Sequence, residues 1–509
     1  MEHHPIQGPA GRGEERQTHR SRNSTTQPEK LARKQPVVHQ LRLWILLLLI
    51  LTIVAVIIVN THKTLPEGIA YEGAPHQVEN IEFLYDLTYP KDGATVTEQT
   101  IYNRILQAID EAESFIVIDM FLFNGYVDQG QSFPPLSATL TDKLIARKQE
   151  RPELEIVFIT DEINTTYGSH PSPELQKMEA AGIATVITYL DRLRDSTPIY
   201  SGLWRTFFRW FGESGSGWLK NPLAESAPDI TVRSYLKLFN VKANHRKVIA
   251  TEQTAIISSA NIHDASALHS NAAFAVSGGI ITDVLASEQA VSNMSGGPEL
   301  PSNPVREEEK SGDITVRLLT EGMVYKHVLE SLAQAGTGDT VWMGMFYLAD
   351  PKVVDGLLEA SDRGADVRLI LDPNENAFGN EKIGMPNRPV AAQLQEQSEG
   401  RIQIRWFNTA DEQYHAKMTV IAGPSQTVIH SGSANLTKRN LDDLNLESNL
   451  MIEAPADSEL SAEVLQYFER LWTNKDAEYT LDFNAFKDKT VPLKKWLYRL
   501  QETLGFTTY

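Results

Sequence analysis

The chain has 509 residues, room for two ordinary domains, with 47 Lys and Arg against 66 Asp and Glu and a formal net charge of −19. It contains no cysteine, which excludes disulfides, thiol nucleophiles and Cys-ligated zinc. So acidic a chain argues against a broad, non-specific nucleic-acid footprint, although a local basic channel stays compatible with it.

Residues 1–42 are rich in Ser, Gln, Gly and Pro and read as a disordered tail. The tail holds eight Lys or Arg against four acids, so the rest of the chain carries −23. Residues 43–59, LWILLLLILTIVAVIIV, are uncharged, with Thr52 the single polar residue. As a helix they reach roughly 26 Å, enough to cross a thin hydrocarbon core. A long leader and the lack of a small-x-small site after Val59 favour an uncleaved anchor over a signal peptide. The positive-inside rule then puts the tail in the cytoplasm and the acidic body on the outer, periplasmic or lumenal, side.

A first half is expected over 76–285. The helical pattern NRILQAIDEAES leads into the apolar run Phe115 to Phe121. LTDKLIARKQERPELEIVFITDEINTTYG, from 140 to 168, then reads as helix, polar turn and buried strand ending in an acidic loop. Residues 201–222, SGLWRTFFRWFGESGSGWLKNP, have no counterpart later in the chain. Trp204, Phe207, Phe208, Trp210, Phe211 and Trp218 interleave there with Arg205, Arg209 and Lys220. Such a segment suits a lipid headgroup zone, a stacking surface for single-stranded nucleic acid, or an insertion packed on the core. GESGSG within it is a turn; no Lys-Ser/Thr follows to make a phosphate loop.

Then comes NHRKVIATE, with His245 and Lys247 two apart, and Ser259-Ala260-Asn261 downstream. The β-branched residues after the dyad read as strand, which points His and Lys to one face. An imidazole beside an ammonium suits attack on phosphorus, with the ammonium holding an anionic oxygen. Residues 286–313, rich in Ser, Gly, Pro and Glu, read as an exposed linker.

A second half is expected over 314–475, and it repeats the first. KHVLESLAQAGT precedes Val341 to Phe346, and VVDGLLEASDRGADVRLILDPNENAFG matches the earlier helix, strand and acidic loop. YHAKMTVIA carries His415 and Lys417, followed by Ser433-Ala434-Asn435. Phe239-Asn240 and Phe407-Asn408 precede the dyads, and Asn271 and Asn445 lie ten residues beyond each Ser-Ala-Asn. Two faces of this kind brought together supply one imidazole to attack and one to protonate the leaving group, while lysines and Asn amides bind the non-bridging oxygens; no metal or other cofactor is needed. Alternating helices and short strands imply two similar α/β halves with mixed sheets flanked by helices, packed about a pseudo-two-fold with the site in the seam. Residues 476–509 form a C-terminal extension in which Leu493, Trp496, Leu497, Leu500 and Leu504 fall on one helical stripe.

The duplicated block resembles the phospholipase D superfamily, whose mark is a repeated H-x-K-x4-D followed by G-S-x-N. The second copy follows it through Gly432, Ser433, Ala434 and Asn435; the first has Ser258 where Gly is usual, and Glu252 and Ala422 stand at the acidic positions. The resemblance implies that a carboxylate from one half orients the imidazole of the other. Glu447, twelve residues beyond Asn435, would orient His245, whereas Ala273 stands at the same count in the first half. On that basis His245 is the nucleophile that becomes phosphorylated and His415 the general acid and later base. Lys247, Lys417, Asn261, Ser433 and Asn435 complete the expected site. With the anchor, the resemblance implies a membrane enzyme of the phospholipase D and cardiolipin synthase kind acting on phospholipid, by hydrolysis or phosphatidyl transfer. A membrane-anchored nuclease of the same superfamily is the alternative, and a non-catalytic lipid-binding relative, prompted by Glu252, Ala422 and Ala273, is a further one.

Overall fold

A computed structural model describes residues 35–486, apart from 80, 212–214, 303–311, 378–379 and 382, together with 494 and 501. Residues 1–34 of the tail and the stripe from Leu493 to Leu504 lie outside the described residues. The chain divides into two units, 1–53 and 54–509. What is described of the first is helix, belonging to the helix Gln35–His62, which outruns the expected 43–59 at both ends. Its stretch Val38–His62 is long and apolar enough to cross a membrane. Thr52, Asn60 and Thr61 each bond the carbonyl four residues back, which satisfies their polar atoms inside the helix itself.

The second unit holds two mixed sheets. Across the first run Ala94–Gln99, Ile81–Lys91, Asn271–Val276, Ala255–Ser258, Lys247–Thr251, Phe115–Met120, Glu155–Thr160 and Ala184–Ile187. The second has His76–Val78, Ile314–Thr320, Ser448–Pro455, Gln426–Gly432, Lys417–Ala422, Thr340–Met345, Asp366–Leu371, Gln403–Phe407 and Thr480–Asp482. From Ile81–Lys91 and from Ile314–Thr320 onward the order is the same in both. Three parallel strands follow a set of antiparallel ones, and Met120 faces Lys247 as Met345 faces Lys417.

Each sheet buries both faces. Ile116, Ile118, Ile156 and Phe158 face a core under the helices Ile101–Glu111 and Leu136–Glu150. Val117, Val157 and Ile159 alternate to the other side. There they join Trp342, Met418, Val420 and Ile429 of the second sheet in one shared core, with the helices Ile280–Ser295 and Glu459–Thr473. Truncating a fully buried member such as Phe274 to Ala costs about 3–5 kcal/mol.

Three expected boundaries shift. His76–Val78 pairs with Ile314–Thr320 and so belongs to the second sheet. The expected linker begins inside the helix Ile280–Ser295, where Ser287, Glu288 and Val291 are buried; its apolar periodicity was masked by polar residues that face interior partners. Beyond residue 475, Thr480–Asp482 adds an edge strand to the second sheet, and Phe483 and Phe486 pack on Trp406.

Candidate active site

The two halves meet through reciprocal backbone bridges just before the dyads. The His245 N–H donates to Leu446 O (2.9 Å) and the His415 N–H to Ser270 O (2.7 Å). Asn244 thereby bridges Leu446 while Tyr414 bridges Ser270, the exchange a pseudo-two-fold requires. Each bridge carries the next side chain of one half to the dyad of the other. Glu447 Oε2 lies 3.0 Å from His245 Nδ1, and Asn271 Oδ1 lies 3.0 Å from His415 Nδ1. With carboxylate or amide oxygen as acceptor, each Nδ1 carries the proton, which leaves the Nε2 lone pair free. Among the described residues no hydrogen bond is made to either Nε2 atom.

Around this pair the repeats match atom for atom. Ser433 Oγ donates to Glu447 Oε2 (2.5 Å) and Ser259 Oγ to Asn271 Oδ1 (3.0 Å). Each serine oxygen also accepts the following amide, Ser448 N at 2.9 Å and Ala272 N at 3.0 Å. Lys247 Nζ lies over Phe121 and Lys417 Nζ over Phe346, and the same rings contact His245 and His415. Each lysine donates to its own histidine's carbonyl, at 2.6 and 2.7 Å. Asp161 and Asp372, from the two acidic loops, accept the amides of Asn244 and Tyr414.

The pairing of Ser259 with Asn271 and of Ser433 with Glu447 corrects one equivalence. Asn271, not Ala273, stands where Glu447 stands. Counting from the Ser-Ala-Asn segments fails because the second repeat is two residues longer there, with a helical turn at Lys438–Leu441. The Asn271 and Asn445 match is likewise out of register, since Asn445 Oδ1 accepts Ala243 N. Ala273 is the partner of Ser258 in the sheet, as Asn449 is of Gly432. Ser258 Oγ accepts Ala260 N (2.8 Å), the service that Asn449 Oδ1 gives Ala434 N (3.0 Å). A Cβ on Gly432 would fall 2.2 Å from Ser448 O and 2.6 Å from Asn449 Cα. The Ser258–Ala273 and Gly432–Asn449 pairs are therefore alternative ways of filling one space.

Electrostatics follow from burial. The His245 imidazole is brought down to about 4 by burial, against the pull of Glu447 and with the push of Lys247. Burial, Lys417 and His269 take His415 well below its usual value, and Lys247 and His245 across the seam add to the shift. Burial lowers Lys247 to about 7, and burial and Lys247 take Lys417 well below its usual value. Burial alone would raise Glu447, but His245, Lys247 and Ser433 hold it below the usual carboxyl range. The seam thus holds two imidazoles biased to the neutral form and two lysines whose ammonium form lacks counter-charge, a setting that an anion entering the seam would relieve. Asn261 Oδ1 accepts Leu122 N (3.4 Å), while Asn435 Oδ1 is buried without a partner.

Several residues here carried no sequence signal. Arg246, the middle residue of the first dyad, is fully buried and bonded to Glu288 (3.1 Å) and Glu321 (2.8 Å). Glu321 Oε1 also accepts Glu447 N (3.0 Å), which ties the first dyad to the carboxylate it uses. His269 sits with its ring 5.9 Å from that of His415. Asn440 Nδ2 donates to Glu447 Oε1. At the departed acidic positions, Glu252 accepts the amides of Glu113, Ser114 and Phe115, whereas in the second half Asp339 closes the equivalent turn by accepting Gly336 N beside Ala422.

Residues 328–472 match the family model described as "Cardiolipin synthase, PLD-like domain". No curated protein matches the sequence. Among solved structures, phosphatidylserine synthase of Haemophilus influenzae Rd KW20 is similar at TM-score 0.53 and 13% identity, over 85% of this chain and 96% of that one. Polyphosphate kinase of Porphyromonas gingivalis aligns at TM-score 0.44 and 14% identity, over 84% and 53%. Nuc of Salmonella typhimurium, a phospholipase D family member, aligns at 0.26 and 21%, over 33% and 98%.

Proposed function

We propose that this chain is a member of the phospholipase D superfamily and a membrane-anchored enzyme that cleaves or exchanges the phosphodiester of a phospholipid through a phosphohistidine. The observation that carries this reading is the seam itself, with a carboxylate-backed and an amide-backed imidazole, both with free Nε2, beside two under-neutralised lysines.

His245 Nε2 attacks phosphorus while Glu447 takes up the positive charge developing on the ring. As the bond to the leaving alcohol breaks, His415 gives its proton to the departing oxygen. It takes up that proton as the anionic substrate offsets Lys247 and Lys417, since burial and those neighbouring cations otherwise disfavour its charged form. Lys247, Lys417 and the amides of Asn261 and Asn435 bind the non-bridging oxygens, and Ser433 and Ser259 hold the two orienting groups in place. Water or an alcohol then loses its proton to His415 and attacks the phosphoryl group, which frees His245. Hydrolysis and phosphatidyl transfer differ in which acceptor arrives. The apolar helix Val38–His62 supports a membrane tether, and the basic tail supports a cytoplasmic N-terminus with the seam on the outer side.

The test is turnover by the purified full chain, without added metal, of labelled phosphatidylglycerol, phosphatidylcholine and single-stranded DNA. Turnover of a phospholipid is expected. Turnover of DNA alone would replace this reading with a nuclease, and lipid binding without any turnover would replace it with a non-catalytic lipid-binding protein.

A further inference from the structure

The insertion at 201–222 is not one surface. Trp204 and Arg205 are buried, with Arg205 held by both oxygens of Asp195 at 2.9 and 2.8 Å, so these two fasten the segment to the body and do not meet headgroups. Ser201 and Gly202 are buried beside them. The opposite side is apolar and open. Ile199, Leu203 and Phe207 recur every four residues along the short helix Pro198–Leu203 and the wider turn Trp204–Phe208. Phe208, Trp210 and Phe211 continue the exposed surface, with Trp210 73% exposed, and Trp218 is 70% exposed. Arg209 lies over the Trp210 ring at 5.0 Å, and the exposed Lys220 side chain pairs with Asp229 at 3.5 Å. A segment inverted in this way, fastened by its polar and small residues and apolar outward, is not built to face water.

Its neighbour identifies what covers it. A Cβ on Gly202 would sit 2.4 Å from Ile57 Cγ1, so the end of the apolar helix packs directly on the segment's carrier. Asp195 N donates to Asn60 O (3.1 Å), Lys63 Nζ to Asp191 O (2.7 Å) and Arg194 Nε to Lys63 O (3.1 Å). The patch therefore lies beside the C-terminal end of the apolar helix, and its makeup, Trp and Phe with Arg and Lys, is that of a membrane–water interface. We infer that Ile199 to Phe211 and Trp218 insert into the interfacial layer of the same membrane, fixing the body against the surface that supplies its lipid. This rests on the membrane-enzyme reading above.

The chain's lack of cysteine makes a direct test available. Full-length Phe207→Cys, Trp210→Cys, Trp218→Cys and, as a control on an exposed helix end, Gln397→Cys would each carry an environment-sensitive dye. They would be reconstituted into vesicles of phosphatidylcholine and phosphatidylglycerol with and without nitroxide-labelled lipid. Dyes at 207, 210 and 218 should shift to the blue and be quenched by the labelled lipid, while the dye at 397 reports water. Four water-like signals would overturn the inference. A blue shift without lipid quenching would do so too, in favour of contact between copies of the chain. A Trp210→Ser, Phe211→Ser variant should lose about a hundredfold of its turnover of vesicle lipid but not of a soluble aryl phosphodiester, since each of the two exposed rings contributes on the order of one tenfold factor on leaving water. Equal loss on both substrates would mean a structural role instead. Because the dye signal needs no catalysis, lipid-quenched dyes on a protein that turns over no lipid would sink the enzymatic reading and leave the docking intact.

Discussion

The two halves place histidines identically and support them by different chemistry. Behind His245 the support is ionic. Asn244 bonds both oxygens of buried Asp119, and Arg246 bonds Glu288 and Glu321. Burial raises Asp119 and raises Glu288 still further. Behind His415 the support is aromatic. Tyr414 stacks on Phe407 at 4.4 Å and reaches Tyr467, and its hydroxyl fills the space a side chain on Gly344 would need, while Ala416 stands where Arg246 does. Gly344 and Asp119 occupy the same register against the dyad strands. The acceptors differ in the same sense, Glu447 for His245 and Asn271 for His415. A carboxylate stabilises an imidazolium more than an amide does, so the two acceptors set the rings apart in the sense that the proposed division between nucleophile and proton carrier requires.

Removing the distinction outright has the largest effect. His245→Ala should abolish turnover, and His415→Ala should cost roughly 10²–10⁴-fold, most for alcohols that leave poorly, read by steady-state rates on a leaving-group series. Next comes Glu447→Gln, which makes the first half like the second and should lower the rate by several hundredfold or more without unfolding the protein. The reverse swap, Asn271→Asp, should raise the His415 pKa and move the corresponding limb of the pH–rate profile to higher pH. An unmoved profile would remove the assigned role of that acceptor.

Arg246→Ala should destabilise by about 3–5 kcal/mol in denaturant unfolding, because it leaves buried carboxylates unpaired, whereas Ala416→Ser should cost far less. Glu252→Ala should cost about 1–3 kcal/mol by stranding the amides of residues 113–115. Ala422→Glu should gain nothing, since Asp339 already closes that turn.

Acid offers a smaller effect that spans the halves. Burial brings His245 and His263 to about 4 and His269 and His430 to about 3. A folded value below the unfolded one means the unfolded chain binds more protons between them. Their contribution is therefore complete above about pH 6.5 and is lost as pH falls toward 4 and 3. The melting temperature should drop across that window, and less steeply in His430→Gln, where the ring bonds Ser331 and lies outside the seam.

Much of this site was legible because duplication let each half check the other. The dyads, the Ser-Ala-Asn segments and the acidic loops all recur at matching places in the two sheets. Counting residues misled where a loop changed length, which turned Asn271 into Ala273. Paired substitutions were also opaque: Ser258 with Ala273 and Gly432 with Asn449 make sense only as neighbours across a sheet. Arg246 gave no signal because a charged residue inside H-x-K reads as solvent-facing, and its buried partners lie 42 and 75 residues away. The insertion's six aromatics looked alike in sequence, and the fold alone separates buried Trp204 from the exposed rest.

The central claim is that the carboxylate-backed histidine forms the covalent bond to phosphorus. Quenching His415→Ala in acid-free denaturant after mixing with phosphorus-labelled phospholipid, then mapping the label by peptide mass, tests it directly. The account predicts label on His245 that disappears in the His245→Ala, His415→Ala double variant. Label on any other residue, or undiminished turnover by His245→Ala alone, would contradict it.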